Sequence, residues 1–319
     1  MKRLGAGPAG LALLLLSFLA LAALVASNRF YAFVLGITML NVLWASGMNL
    51  LSGFAGLMPL MFAGLAGVSA YGTLELTMQQ GWSFWAAMPL AAGGAALVGV
   101  LLGLPSLRLT GFYFTLSSMV IQTVMTMLFV FYPRFTNGDT GISQIPSPDI
   151  PFVAGATLTG MAYDLMLAFL AWAGIACVWA IMRLPFGRRI VALREDPFLA
   201  ETLGIDVVRA KLVVFFIGSL FAGVGGSLYA VHTGFVSPRA FDVLVSLNIW
   251  LMVAFGGRGT LAGPVIGAAI LGPLPFFLQS FESLKDIIYG VLIVIVVTLL
   301  PGGVYGELKR MILARRLAR

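Results

Sequence analysis

The sequence predicts an all-α polytopic membrane protein with about ten transmembrane helices. Composition is the first reason. Of 319 residues, 60% are hydrophobic and 10% charged, whereas a soluble domain carries roughly 25% charged residues. The second reason is spacing, because apolar runs of about 20 residues, enough to cross a hydrocarbon core of about 30 Å, recur along the chain. These runs are continuously apolar and do not alternate, which excludes a β-barrel. The third reason is that the basic residues segregate to one side of the resulting topology.

The spans fall at 9–26, 30–51, 57–77, 84–103, 112–132, 161–182, 211–233, 243–256, 262–280 and 286–301. The first run follows Met-Lys-Arg and reads as an uncleaved helix rather than a signal peptide. Trp82 and Trp85 precede the fourth span and suit an interfacial belt. The sixth holds Cys177, the single cysteine, which excludes an internal disulfide; it reads as a small buried apolar residue. The eighth span is short and runs into "GGRGTLAG", so it either crosses as a broken helix or re-enters. Non-helical backbone at that depth needs cover from protein or a water-filled path. No separate soluble domain is visible, so residues 1–319 read as one transmembrane permease domain. Two inverted five-span halves fit this count, without visible internal sequence similarity.

With the N-terminus placed in the cytoplasm, 15 of the 19 Lys and Arg residues fall inside. Arg29, Arg134, Arg239 and Lys285 fall outside. Cytoplasmic enrichment of Lys and Arg sets orientation. Both termini are therefore expected in the cytoplasm of a multi-pass protein, and the net charge of +7 requires no nucleic-acid partner. The lipid bilayer accounts for the apolar surface. Gly99 with Gly103, Ser219 with Gly223, and Gly263 with Gly267 are small pairs four apart, a spacing that lets helices approach closely.

One compact charged segment, "ALREDPFLAETLGIDVVRAK" at 192–211, interrupts the apolar pattern. It lies in a cytoplasmic connection of about 183–211. Asp196 is a good N-cap, Pro197 suits the first helical position, and Gly204 can stop a helix in the left-handed conformation. The enclosed helix is about two turns, roughly 10 Å long, and needs a surface to lie against. Phe198, Leu199 and Leu203 offer apolar contacts, while Arg194, Glu195, Asp196 and Glu201 offer polar ones. Such a helix suits docking into a groove of another protein, or lying on lipid headgroups.

The neutral polar residues within spans have two readings. Thr115, Ser118, Gln122 and Thr126 form one stripe on the fifth span; Asn41 and Asn49 lie in the second and Asn248 in the eighth. They can line a hydrated path for a small neutral solute, or hydrogen-bond to neighbouring helices at roughly 0.5–2 kcal/mol per contact. Ionisable residues are nearly absent from mid-span: Glu75 and Asp164 sit near outer span ends, and His232 suits an interface. An ion-coupled carrier usually keeps such groups at membrane depth, so that alternative is disfavoured. The chain also lacks a G-x-x-x-x-G-K-[ST] phosphate loop, so its energy is expected from a partner or from an ion gradient; no cofactor in this chain and no metal set are expected.

"LREDPFLAETLGID" resembles the cytoplasmic coupling loop of branched-chain amino acid ABC importer permeases of the LivM type. "ASGMNLLSGFAGL", "LRLTGFYFTLSSM" and "SPRAFDVLVSLNIWLMVAFGGRGTLAGPVIGAAIL" resemble further segments of that family, in family order from about residue 41 to 280. The stretch "LMPLMFAG" at 57–64 departs from the family's pattern and leaves the substrate open if it lines the path. The resemblance implies an ABC importer permease fold with no covalent catalysis. ATPase coupling falls on Leu193, Arg194, Glu195, Asp196, Pro197, Ala200, Glu201, Leu203, Gly204 and Ile205. A candidate path runs past Asn41, Asn49, Thr115, Ser118, Gln122 and Asn248. The implied partners are a second related permease subunit, two cytoplasmic ATP-binding subunits that use the ATP, and a soluble solute-binding protein. The implied place is the bacterial inner membrane, and the solutes are branched-chain or related small neutral amino acids; amides, urea and small aromatic acids remain open.

Overall fold

The computed structural model describes residues 8–25, 28–109, 111–149, 157–278, 290–291, 294 and 302–317. The first helix, α1 (Pro8–Val25), lies along α7 (Met161–Arg183), and Trp172 of α7 donates its indole N–H to the Leu11 carbonyl. The next helix, α2 (Arg29–Met48), starts at an Asn28 cap and continues through a π-helical turn, Asn49–Phe54. Together they form a 26-residue apolar helix, roughly 39 Å long at 1.5 Å per residue.

That helix serves as a ruler for the bundle. Near its start, Phe30, Tyr31 and Phe33 meet Phe276 and Phe277. Near its end, Asn49 and Gly53 meet Gly259, Thr260 and Arg194. The two ends of the molecule are thereby distinguished.

Among the described residues, four further helices are long and apolar enough to span: α4 (Phe84–Ser106), α5 (Phe112–Phe131), α7 and α10 (Val207–Thr233). They coincide with predicted spans, and the chain is a multi-pass helical membrane protein. Trp85, at the start of α4, donates to the Asp149 carbonyl. Cys177 corrects the sequence reading, because it is exposed on the outside of α7. A helix between lipid and core is apolar on both faces, so hydropathy cannot tell which face is buried.

The third span starts later than expected. Predicted at 57–77, it becomes helical only at α3 (Phe62–Leu74), which ends in a π-helical turn, Glu75–Gln79. Residues 55–61 reverse the chain instead. Gly56 takes a positive φ of 73°, and Pro59 has no N–H to give a helix.

The eighth and ninth spans form a broken hairpin of α11 (Val243–Gly256) and α12 (Ala262–Leu271), continued by α13 (Leu274–Phe277) after Gly272-Pro273. Its turn lies against the end of α2 and its far end against the start of α2, so the hairpin follows the length of α2 in pieces. Gly267 packs on the Met252 carbonyl, where any Cβ would overlap backbone. The predicted tenth span at 286–301 lies outside the described residues except Gly290, Val291 and Val294. The last helix, α14 (Gly303–Leu317), begins against Gly257 at the hairpin turn.

At the centre, α10 packs along α3 and α4 and against α2. Gly226 of α10 meets the Ala66 carbonyl with no room for a side chain, and Gly99 of α4 faces Ser219 of α10. Beyond α5, a short helix α6 (Pro133–Thr136) leads to a strand, β1 (Ile142–Ser143), which pairs antiparallel with β2 (Phe235–Val236) after α10.

Candidate functional site

After α7 the chain does not enter the predicted short helix directly. Leu184 breaks the helix in extended conformation, and α8 (Pro185–Glu195) starts with Pro185 at its first position. Its Ile190 and Leu193 are buried while Arg188 and Arg189 are exposed. The sequence reading missed α8, although Pro185 and the apolar pair three apart were signals for it.

The short helix itself is α9 (Pro197–Thr202), and it follows the expected capping. Asp196 accepts from the Phe198 and Leu199 amides at 2.9 and 3.0 Å. Gly204 has φ of 81°, and the Ile205 amide returns to the Ala200 carbonyl at 3.1 Å. Leu193, Ala200 and Ala210 form a small buried cluster with Ile205 and Val207 packed on it, so α9 is fixed to α8 and to the start of α10. Its other side is bare. Phe198 is 76% exposed and Leu203 73%, with Leu199, Glu195 and Glu201 also exposed.

Arg194 links this unit to the bundle. Its guanidinium donates to the Gly53 carbonyl in the π-helical turn ending α2. From that turn, Asn49 grips the turn between α11 and α12. Its amide donates to the Thr260 carbonyl at 2.8 Å, and its side-chain oxygen accepts from the Gly259 amide at 2.9 Å. Gly53 permits this approach, because a Cβ there would strike both the Asn49 side chain and the Gly259 nitrogen. Three sequence blocks more than 200 residues apart at the extreme thus meet at one latch: "NLLSGFAGL", "LREDPFLAETLGID" and "GGRGTLAGP". Beside it, Arg258 lies over the Trp250 ring at 4.2 Å. Burial and then the nearby Arg194 charge lower the Arg258 pKa.

A cavity of about 390 Å³ opens between α2, the end of α10, α11 and α12–α13. Its walls are mainly apolar and aromatic, with Ile37, Leu40, Trp44, Tyr229, Met252 and Phe276. Asn41 and Asn248 also line it, and neither amide has a hydrogen-bond partner among the described residues. Asn49, in the π-helical turn that continues α2, is eight residues beyond Asn41, roughly 12 Å along the axis, and it belongs to the latch.

The α5 stripe lies elsewhere. Ser118 and Gln122 are fully buried at the N-terminus of α3, whose first amides lack helical partners. Ser118 accepts from the Leu60 amide at 2.9 Å and Gln122 from the Gly64 amide at 2.7 Å. Ser246 of α11 accepts from Ala63 at 2.8 Å. The Gln122 amide also donates to the Phe241 carbonyl. Thr115 is half-buried, its hydroxyl without a hydrogen bond among the described residues. None of residues 57–64 lines the cavity.

Comparison with known proteins gives this arrangement a family. Residues 30–297 match the model of the branched-chain amino acid transport system permease component. The chain is 30% identical, over 83% of its length and 68% of the relative, to the high-affinity branched-chain amino acid transport system permease protein LivM of Salmonella typhimurium. It is 29% identical over 48% of its length, and 49% of the relative, to LivH of the same organism. It is 25% identical to the guanosine ABC transporter permease protein NupQ of Bacillus subtilis, over 54% of this chain and 58% of that one. No solved structure matches the chain. The latch, the exposed short helix and the apolar cavity are therefore features of a membrane permease, and the chain belongs to the family of branched-chain amino acid transport permease components.

Proposed function

We propose that this chain is one of two related permease subunits of an ATP-driven importer for branched-chain or similar small neutral amino acids. Two cytoplasmic ATPases and a soluble solute-binding protein complete the complex in the bacterial inner membrane. The termini and α8–α9 face the cytoplasm, as the Lys and Arg distribution supports. The observation that carries the reading is the Arg194–Gly53 and Asn49–Gly259 latch beneath the exposed apolar face of α9.

The proposed mechanism is alternating access. The ATPases close on Phe198, Leu199 and Leu203 and move α8 with α9. Arg194 passes that movement to the end of α2, and Asn49 passes it to the α11–α12 turn. These are the same elements that wall the cavity holding Asn41 and Asn248, so movement at the latch changes the cavity. The aliphatic walls suit a branched side chain, and the two amides offer donors and acceptors to a polar solute.

Leucine uptake by the reconstituted complex is expected to require ATP and to persist when proton and sodium gradients are collapsed. Uptake by this chain alone, driven by an ion gradient, contradicts the proposal. A Glu201→Cys variant in a Cys177→Ser background is expected to react with an impermeant thiol reagent from the cytoplasmic side only; reaction from outside reverses the orientation.

A further inference from the structure

The end of the bundle remote from α8–α9 contains a second cavity, of about 570 Å³, which the coupling mechanism does not use. Arg29 at the start of α2, Asp164 in the first turn of α7, and Phe33, Tyr163 and His232 are among its walls. Asp164 is only 8% exposed. Its carboxylate nevertheless has no hydrogen bond or ion pair among the described residues, and the Arg29 guanidinium has none either. The carboxylate opens on the cavity and is held in a partly desolvated place without a partner, which costs free energy, and it is stabilised when a cation occupies the space beside it.

Of the other polar groups of this wall, the Ser147 and Thr159 hydroxyls have no hydrogen bond among the described residues, while Tyr163 and His232 are engaged. The Tyr163 phenol donates to the Leu228 carbonyl at 2.8 Å, and His232 Nε2 lies 3.0 Å from the Phe33 carbonyl oxygen. The His232 ring is stacked between Phe33 and Tyr163, with centroids 5.1 and 5.9 Å away. Two opposite charges therefore remain uncommitted around one aromatic floor. Phe33 also lines the cavity of Asn41 and Asn248, so the two spaces adjoin through that ring.

We propose that this cavity is a binding site for a small zwitterion, with Asp164 receiving the ammonium group and Arg29 the carboxylate, before the solute passes Phe33 to the deeper cavity. The passage rests on the transport function proposed above; the recognition of an ammonium group by Asp164 does not. Charge-assisted contacts of this kind are the strong ones.

The test is isothermal titration of the assembled complex without its solute-binding protein. The probes are leucine, 3-methylbutylamine, which lacks the carboxylate, and 4-methylpentanoate, which lacks the ammonium. Asp164→Asn is expected to weaken leucine and the amine about tenfold or more, the loss of one charged contact, and to leave the acid unchanged. Arg29→Gln is expected to do the reverse, and Asp164→Glu to retain amine binding. Unchanged affinities in an Asp164→Asn complex that assembles normally overturn the proposal. Should that variant fail to assemble, amine binding lost in an assembled Asp164→Glu complex, or acid binding unaffected by Arg29→Gln, overturns it. Unchanged solute affinities with lost capture of the solute-binding protein also overturn it, and assign these charges to protein docking. Asp164-dependent amine binding in a wild-type complex that does not import leucine upholds the site and rejects amino-acid import.

Discussion

Two groups of neutral polar residues, one buried and one half-buried, differ in what they face. Ser118 and Gln122 on α5 are saturated, because α3 begins inside the bundle, and amides of its first turn and of the residues just before it have no helical acceptors. Asn41 and Asn248 face a cavity and have no partner among the described residues. The residue chemistry is nearly the same in both groups. What separates them is whether a neighbouring helix starts at that depth. A polar side chain in an apolar helix becomes a structural cap where another helix exposes orphan amides, and is left facing a cavity where it does not.

The largest effect on stability is expected at the saturated group. Gln122→Leu leaves the Gly64 amide and the Phe241 carbonyl unpaired, at about 1–3 kcal/mol for each buried group. The thermal midpoint of the purified complex should fall, with uptake per folded complex unchanged. A normal midpoint with slowed uptake moves Gln122 into the path and removes the contrast. A smaller effect on stability is expected for Asn248→Leu and Asn41→Leu, within about 0.5 kcal/mol for groups without partners. Uptake per folded complex should fall severalfold in both. Thr115→Val, at a hydroxyl with no hydrogen bond and no place in the cavity, serves as the reference that alters neither.

The same contrast shows what the sequence could reveal. The long spans were legible because hydropathy over about 20 residues is a strong signal. Helix α9 was legible because Asp196, Pro197 and Gly204 mark its ends by local backbone chemistry. The start of α3 was not, since Gly56 and Pro59 sit in an apolar run that reads as continuous helix. Asn49 could be recognised as polar within a span, but its partner, the Gly259–Thr260 backbone, is more than 200 residues away, and no local pattern encodes that contact. Arg194 could be placed in the coupling segment, yet its acceptor is the Gly53 carbonyl, which has no side-chain signature. The uncommitted Asp164 was visible only as an acidic residue near a span end. Its burial and lack of a partner are tertiary facts.

In the proposed mechanism, α8 transmits motion from the exposed face of α9 to α2 and the α11–α12 turn. Arg194→Gln tests it most directly, because it weakens the bond to Gly53 while keeping Phe198, Leu199 and Leu203 for docking. The measurement is leucine imported per ATP hydrolysed by the reconstituted complex. The ATPases are expected still to bind and hydrolyse ATP, while import per ATP falls about tenfold, as expected for losing one charge-assisted hydrogen bond. Unchanged import per ATP in a normally assembled complex would contradict it.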